Sequence, residues 1–303
     1  MNNSNDDILT VGLLWKTLKE NIPFIALSVT LITSVTIIYS LSVTPIFESN
    51  AVMTQSSAMK SSNSSSSSIS EVASFVTGLD SSQQNSEEKI AITRILSKEY
   101  FNKRIYQNSF LLNCMYMICD ISNFDDVDKF YSEEFKEGNF SKPPFMVAYR
   151  KFRASYRVFP NIELISFTFQ HESPEVAYKF LDWLIIDGNN YVRDIEIAKS
   201  QASINYLSSK LETTRNLELQ KLIGALIQKD IQKMSLSQDS DNFAFEMVDK
   251  PIVPSDRIFP KRSLMATVAM IFSLVFSGSL VILFKYLNYF PWWVTKINHF
   301  LRK

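Results

Sequence analysis

Residues 21–47 read NIPFIALSVTLITSVTIIYSLSVTPIF and residues 263–284 read SLMATVAMIFSLVFSGSLVILF, and neither stretch holds a charged residue. Each is longer than the ~20 residues with which a helix crosses about 30 Å of hydrocarbon. A surface helix of that length carries a polar stripe opposite its apolar face, and these carry none. The two runs sit near the two ends of the 303-residue chain, with most of the protein between them. The expectation is two transmembrane helices, over residues 22–44 and 261–284, flanking one extramembrane domain over residues 45–260. Residues 1–21 and 285–303 then form tails on one common side. This topology sets aside most enzyme readings before any motif is weighed.

Charge supplies the orientation. Net charge is zero, yet from Glu48 to Pro260 there are 28 acids against 23 bases. The flanks carry Lys16, Lys19, Lys285, Lys296, Arg302 and Lys303 against Asp6, Asp7 and Glu20. Basic flanks are retained in the cytoplasm, so both termini are expected there and the domain outside. Lys261 and Arg262, on the outer side of the second run, make the count at that run nearly a tie. The first run is longer than a signal-peptide core, and no small-x-small cleavage pattern follows Val43, so it is read as an uncleaved anchor. Before it, Ile8, Val11, Trp15 and Leu18 recur at helical spacing beside Lys16 and Lys19, the pattern of an interfacial amphipathic helix.

Pro45 stops the first span. Phe47, Ala51 and Met53 then share one parity, which reads as a strand leaving the membrane surface. Residues 56–70 hold ten serines and no aromatic residue, a flexible loop by composition. Residues 87–105 read as a helix with Glu87 and Glu88 at its start and Lys103 and Arg104 at its end, as the helix dipole favours. Residues 110–121 are apolar and ambiguous; residues 124–151 carry a Pro143-Pro144 break. Residues 157–170 alternate Leu164/Ser166/Thr168 against Ile165/Phe167/Phe169, a strand. Ser173-Pro174-Glu175 supplies a cap, a first-turn proline and a first-turn acid for a helix. No proline follows until well past residue 236, and a continuous helix over 174–236 would span about 95 Å. Gly188-Asn189-Asn190 is its one weak point. Leu211, Leu219, Leu222, Ile223, Leu226, Ile227 and Ile231 keep a narrow apolar seam that suits packing against one or two other helices. A last strand is expected over 243–248.

Cys114 and Cys119 are five apart. In a helix or strand that spacing points the side chains away from each other, so a local disulfide is disfavoured and two small buried residues are expected. No glycine-rich phosphate loop, no G-x-S-x-G and no H-E-x-x-H pattern occurs, and the carboxylates sit in no catalytic context. No catalytic, cofactor-binding or metal-ligating residue is assigned. The stiff segment with Pro251, Pro254 and Pro260, ending in Lys261 and Arg262, is the strongest local signal. In the second span Ala269, Ser273 and Ser277 fall at four-residue spacing with Gly278 beside them, a stripe that lets helices approach closely.

These features, in this order, resemble the chain-length determinant (Wzz-type) family, the polysaccharide co-polymerases of bacterial inner membranes. The resemblance rests on the Leu14-Trp15 lead-in, Tyr39-Ser40-Leu41 with Pro45-Ile46-Phe47-Glu48-Ser49-Asn50-Ala51, and Ile95-Leu96-Ser97. It rests further on Ile165-Ser166-Phe167 with Ser173-Pro174-Glu175 and Ala177, and on Pro260-Lys261-Arg262 before the second span. It covers both ends well and residues 106–155 poorly, and the second span holds less glycine than is usual in the family. It implies an α+β protein: two transmembrane helices flanking a periplasmic α/β domain, helices on one face of its sheet, with a long projecting helix. It implies no chemistry. The expected role is a ring-like homo-oligomeric scaffold that works with an inner-membrane polymerase, and with the growing polysaccharide, to set the chain length of O-antigen or a related surface polymer. Nucleic acid is not an expected partner. The rival in the same superfamily is an inner-membrane component of capsule or exopolysaccharide export, whose helical hairpins are usually longer. A rival of another class is a two-span sensor, disfavoured by the short stretch after the second span, which also leaves no room for a fused kinase domain.

Overall fold

The computed structural model describes residues 11–57, 59, 84–117, 119–124, 127, 142–160, 164–239, 242–287, 291 and 294. Most of the serine-rich segment, expected as a loop, lies outside them. The chain forms two compact units, Met1–Pro45 with Arg257–Lys303, and Ile46–Asp256.

The first unit holds α1 (Val11–Glu20), α2 (Ile22–Ser42) and the last helix, α8 (Arg262–Tyr286). Both long helices are apolar and long enough to cross a bilayer. Several of their hydroxyls bond to the helix's own carbonyls, which keeps those side chains compatible with an apolar surrounding. Thr30 Oγ1 donates to Ala26 O at 2.6 Å, Thr33 Oγ1 to Val29 O at 2.8 Å and Thr36 Oγ1 to Ile32 O at 2.9 Å. Thr267, Ser273 and Ser277 do the same in α8. In hydrocarbon such back-bonding satisfies each hydroxyl without a partner helix. Large apolar side chains on both helices are bare, Leu31 at 61% and Phe272 at 66% exposure. A core helix of a soluble protein would have them covered. α2 and α8 pack on each other, and α1 packs on α8.

In the second unit β1 (Ile46–Gln55), β2 (Tyr156–Pro160), β3 (Ile165–His171) and β4 (Phe245–Asp249) are ordered β2-β3-β1-β4, with antiparallel neighbours. The register of β1 on β3 runs from Phe47 opposite His171 to Met53 opposite Ile165. Ser49, Ala51, Met53 and Gln55 face inward, the period-2 pattern of a half-buried strand. The helices are α3 (Gln84–Ile95), α4 (Ser109–Tyr116), α5 (Phe145–Ser155), α6 (Pro174–Thr213) and α7 (Leu217–Asp239). Ser173 Oγ accepts the Val176 N–H at 3.4 Å and Pro174 opens α6, as its sequence predicts. The first turns of α6 lie on β1 and β3. Phe180 stacks on Phe169 with centroids 4.5 Å apart and planes 2° from parallel, and reaches Phe124, which meets Phe110 edge-on. The ambiguous residues 110–121 are helical as far as Tyr116, with Phe110 to Met115 buried.

Four expectations are corrected. The continuous helix over 174–236 is a hairpin: it breaks at residues 214–216, not at Gly188-Asn189-Asn190. Thr214 is extended, at φ −85° and ψ 126°, and Asn216 Oδ1 accepts the N–H groups of Glu218 (2.9 Å) and Leu219 (3.3 Å) as a cap for α7. Gln220 Nε2 closes the turn on Thr214 O at 2.8 Å. The helix over 87–105 ends at Ile95, because Ser97 turns extended and caps a new short helix, Lys98–Tyr100, that continues as a π-helical turn, Phe101–Tyr106. The strand over 157–170 is two antiparallel strands. Cys114 and Cys119 form a disulfide with a Cα separation of 5.1 Å. Regular structure does not run across both residues: the helix stops at Tyr116 and Met117 is extended, which frees Cys119 from the helical spacing.

Candidate functional site: the hairpin, its root and the span face

α6 carries 40 residues and α7 carries 23, lengths of about 60 and 35 Å. Their antiparallel pairing is read directly from Lys233 Nζ on Glu196 Oε1 at 2.8 Å, since the two residues stand about equally far from the turn. Glu196 is the hub. Its carboxylate also meets Arg94 of α3 at 3.4 Å and Lys199 at 3.9 Å, with its side chain 9% exposed. Burial disfavours its charge, but the Lys233 hydrogen bond and the surrounding cations win and hold the carboxyl below the usual range. One buried acid thereby ties α3, α6 and α7 together. Arg104 adds a second clamp from the π-helical turn to α6, with Asp187 at 3.7 Å and Asp194 at 3.2 Å.

The seam residues divide. Leu211, Leu222, Ile223, Leu226 and Ile227 are half-buried where α6 and α7 face each other. Leu219 and Ile231 are 50% and 48% exposed, and Leu217 beside the turn is 65% exposed. The hairpin therefore uses part of its apolar surface within the chain and leaves part bare.

At the hairpin's root lie Gly188 and Asn189, which composition alone marks as weak. Gly188 sits against Ile95: a Cβ there would stand 3.3 Å from Ile95 Cγ2. Asn189 is 1% exposed. Its Oδ1 accepts the N–H groups of Ala244 (3.1 Å) and Phe245 (2.8 Å), and its Nδ2 donates to Phe245 O at 3.1 Å. The side chain thus fastens the returning chain to α6 as β4 begins. Sequence reading missed Asn189 because its partners are more than fifty residues away; its place on an otherwise apolar helix face is the one hint. His171, the last residue of β3, is also buried, and its Nδ1 accepts the Ser173 N–H at 3.0 Å.

Beside α3 an open groove of about 440 Å³ is lined by Lys89, Thr93, Arg94, Ser97, Tyr191 and Ile195, among others. No group of three or more metal-ligating side chains occurs among the described residues.

Within the second unit Ser49 Oγ donates to Ile252 O at 3.0 Å, beside Pro251. Pro251 is buried and Pro254 half-buried. In the first unit Pro260 is buried, Pro45 and Arg262 are half-buried and Lys261 is exposed. Ser273, Ser277 and Gly278 are buried and Ala269 half-buried. This face lies within the chain's own helices: a Cβ on Gly278 would stand 3.4 Å from Leu18 Cδ2 of α1. Small side chains there permit the approach.

The chain matches no protein-family model and no curated protein sequence. Among solved structures it is similar to a full-length bacterial polysaccharide co-polymerase, at 12% identity and a TM-score of 0.38, over 90% of this chain and 97% of that one. It is also similar to a fragment of WzzB, a polysaccharide co-polymerase from Salmonella Typhimurium, at 13% identity and a TM-score of 0.25, over 71% of this chain and all of that fragment.

Proposed function

We propose that the chain is a bacterial inner-membrane protein of the chain-length determinant type. Ile46–Asp256 lies on the periplasmic side and both termini are cytoplasmic. It acts as a homo-oligomeric scaffold beside a polysaccharide polymerase and sets how many units are joined in O-antigen or a related surface polymer. The observation that carries this reading is the order of parts along the chain. An apolar helix leads into an inward-facing strand, then a Ser-Pro-Glu-capped helix, a helical hairpin, a returning strand, a proline segment and a second apolar helix. The bare apolar side chains of the hairpin, Leu217, Leu219 and Ile231, support a second copy as its neighbour, because large side chains left in water forgo about 1.5–3 kcal/mol each.

The test is the polysaccharide ladder on a gel from a strain lacking the gene. Loss of modal length with polymer still made is the expected result, since polymerisation belongs to another protein. Complete loss of surface polymer would favour the export reading, and an unchanged ladder would remove the proposal. The hairpin, with arms of about 60 and 35 Å, is short beside the longer hairpins usual in the export rival, which favours the chain-length reading; the deletion ladder tests the two.

A further inference from the structure

Cys114 ends on the buried face of α4, and the chain reverses within the next few residues to bond it to Cys119. Both residues are buried, at 0% and 7% exposure. The reversal places Phe124 edge-on against Phe110, with centroids 5.2 Å apart, and lets Asn108 Nδ2 donate to Val127 O at 2.9 Å. The bridge therefore fixes a turn on which this part of the core depends.

Thiol chemistry ties this bridge to a compartment. Cytosolic glutathione and thioredoxin keep paired thiols reduced, and structural disulfides belong to oxidising compartments. Once the core has closed over Cys114, neither oxidant nor reductant reaches the sulfurs. We infer that a thiol–disulfide oxidoreductase on the periplasmic side proposed above installs the Cys114–Cys119 bond before the core closes. One cysteine thiolate attacks the oxidant's disulfide, forming a mixed disulfide and releasing one oxidant thiol. The second cysteine thiolate attacks the chain's sulfur in that mixed disulfide, closing the bridge and releasing the oxidant as a dithiol. Two electrons and two protons pass from the chain to the oxidant. It rests on the periplasmic placement in the proposed function and not on chain-length control.

The experiment counts thiols in the full-length protein. Cells are quenched in acid, and denatured extracts are alkylated with a polymer-tagged maleimide, with and without prior reduction. The expected result is no tag without reduction and a tag on each of Cys114 and Cys119 after it. In a strain lacking the compartment's dithiol oxidase, tagging without reduction is expected. Full tagging in wild-type cells without reduction overturns the assignment of the compartment, and an undiminished disulfide in the oxidase-deficient strain overturns enzymatic installation. Purified folded protein treated with dithiothreitol should stay untagged until denaturant is added; ready reduction of the folded form overturns the burial argument. The readout is a thiol count, so its failure is distinct from an unchanged polysaccharide ladder.

Discussion

Asn189→Ala removes three hydrogen bonds at the root of the hairpin and replaces them with nothing. The Ala244 N–H, the Phe245 N–H and the Phe245 carbonyl lose their partner, at a site where Ala244 and Phe245 are themselves buried. An orphaned buried backbone group costs about 1–3 kcal/mol. β4 ends the strand order beside β1, so water can reach part of what is uncovered. The working estimate for the whole change is therefore about 2–4 kcal/mol. For a unit of this size each kcal/mol moves the melting temperature by about 2–4 °C, which puts the expected drop at roughly 5–15 °C. The assay is thermal unfolding of the detergent-solubilised protein, with amide exchange at Ala244 and Phe245 as the local readout. Asn190→Ala, one residue along the same helix, is the control and should cost less than about 1 kcal/mol. Asn189→Asp separates hydrogen bonding from volume. It keeps acceptors for both N–H groups but loses the donor to Phe245 O and sets a carboxylate against that carbonyl. The introduced carboxyl should have a raised folded pKa through burial, so its penalty should be largest above that raised value, shrink as pH falls through it, and be gone by the ordinary carboxylate range. A melting temperature for Asn189→Ala within about 2 °C of wild type, with unchanged exchange at both amides, would refute the view that this residue fastens the returning chain.

Three further outcomes are expected. Glu196 has a lowered folded pKa, so its contribution is present above the unfolded carboxyl value and lost as pH falls through the folded one; Glu196→Gln should cost about 1–3 kcal/mol at neutral pH and flatten that acid limb in pH-dependent melting. His171 is held below its ordinary value, chiefly by burial, so it is neutral in the fold and stability should fall as pH drops below about 6.5; in melting curves His171→Asn, which keeps an acceptor for the Ser173 N–H, should lose the pH dependence, and His171→Ala should lose stability at every pH. Ile231→Asp, on the bare side of α7, should reduce oligomer mass in mild detergent by light scattering with little change in melting, whereas Leu226→Asp, on the half-buried side, should lower both.

Local chemistry was enough to read the two uncharged spans, the parity of Phe47, Ala51 and Met53, and the helix start at Ser173-Pro174-Glu175. Each of those signals lies within a few residues of the structure it produces, and hydrocarbon length or a single capping hydroxyl decides it. The α+β class with its long helix, expected from the family resemblance, is the one the structure shows. The hairpin does not. Thr214 and Asn216 end one helix and cap the next without the glycine or proline that would announce a break, and the turn is worth making only because α7 then covers α6 and brings Lys233 to Glu196. The disulfide shows the same division: five-residue spacing argues against it in any regular element, and only the termination of α4 at Tyr116 brings the two cysteines within bonding reach. Gly188 and Asn189 look like helix defects until Ile95 and the backbone of Phe245 arrive from elsewhere in the chain. Tertiary structure alone decided these positions, because the groups that give them their energy are supplied by distant segments and no periodicity records that meeting.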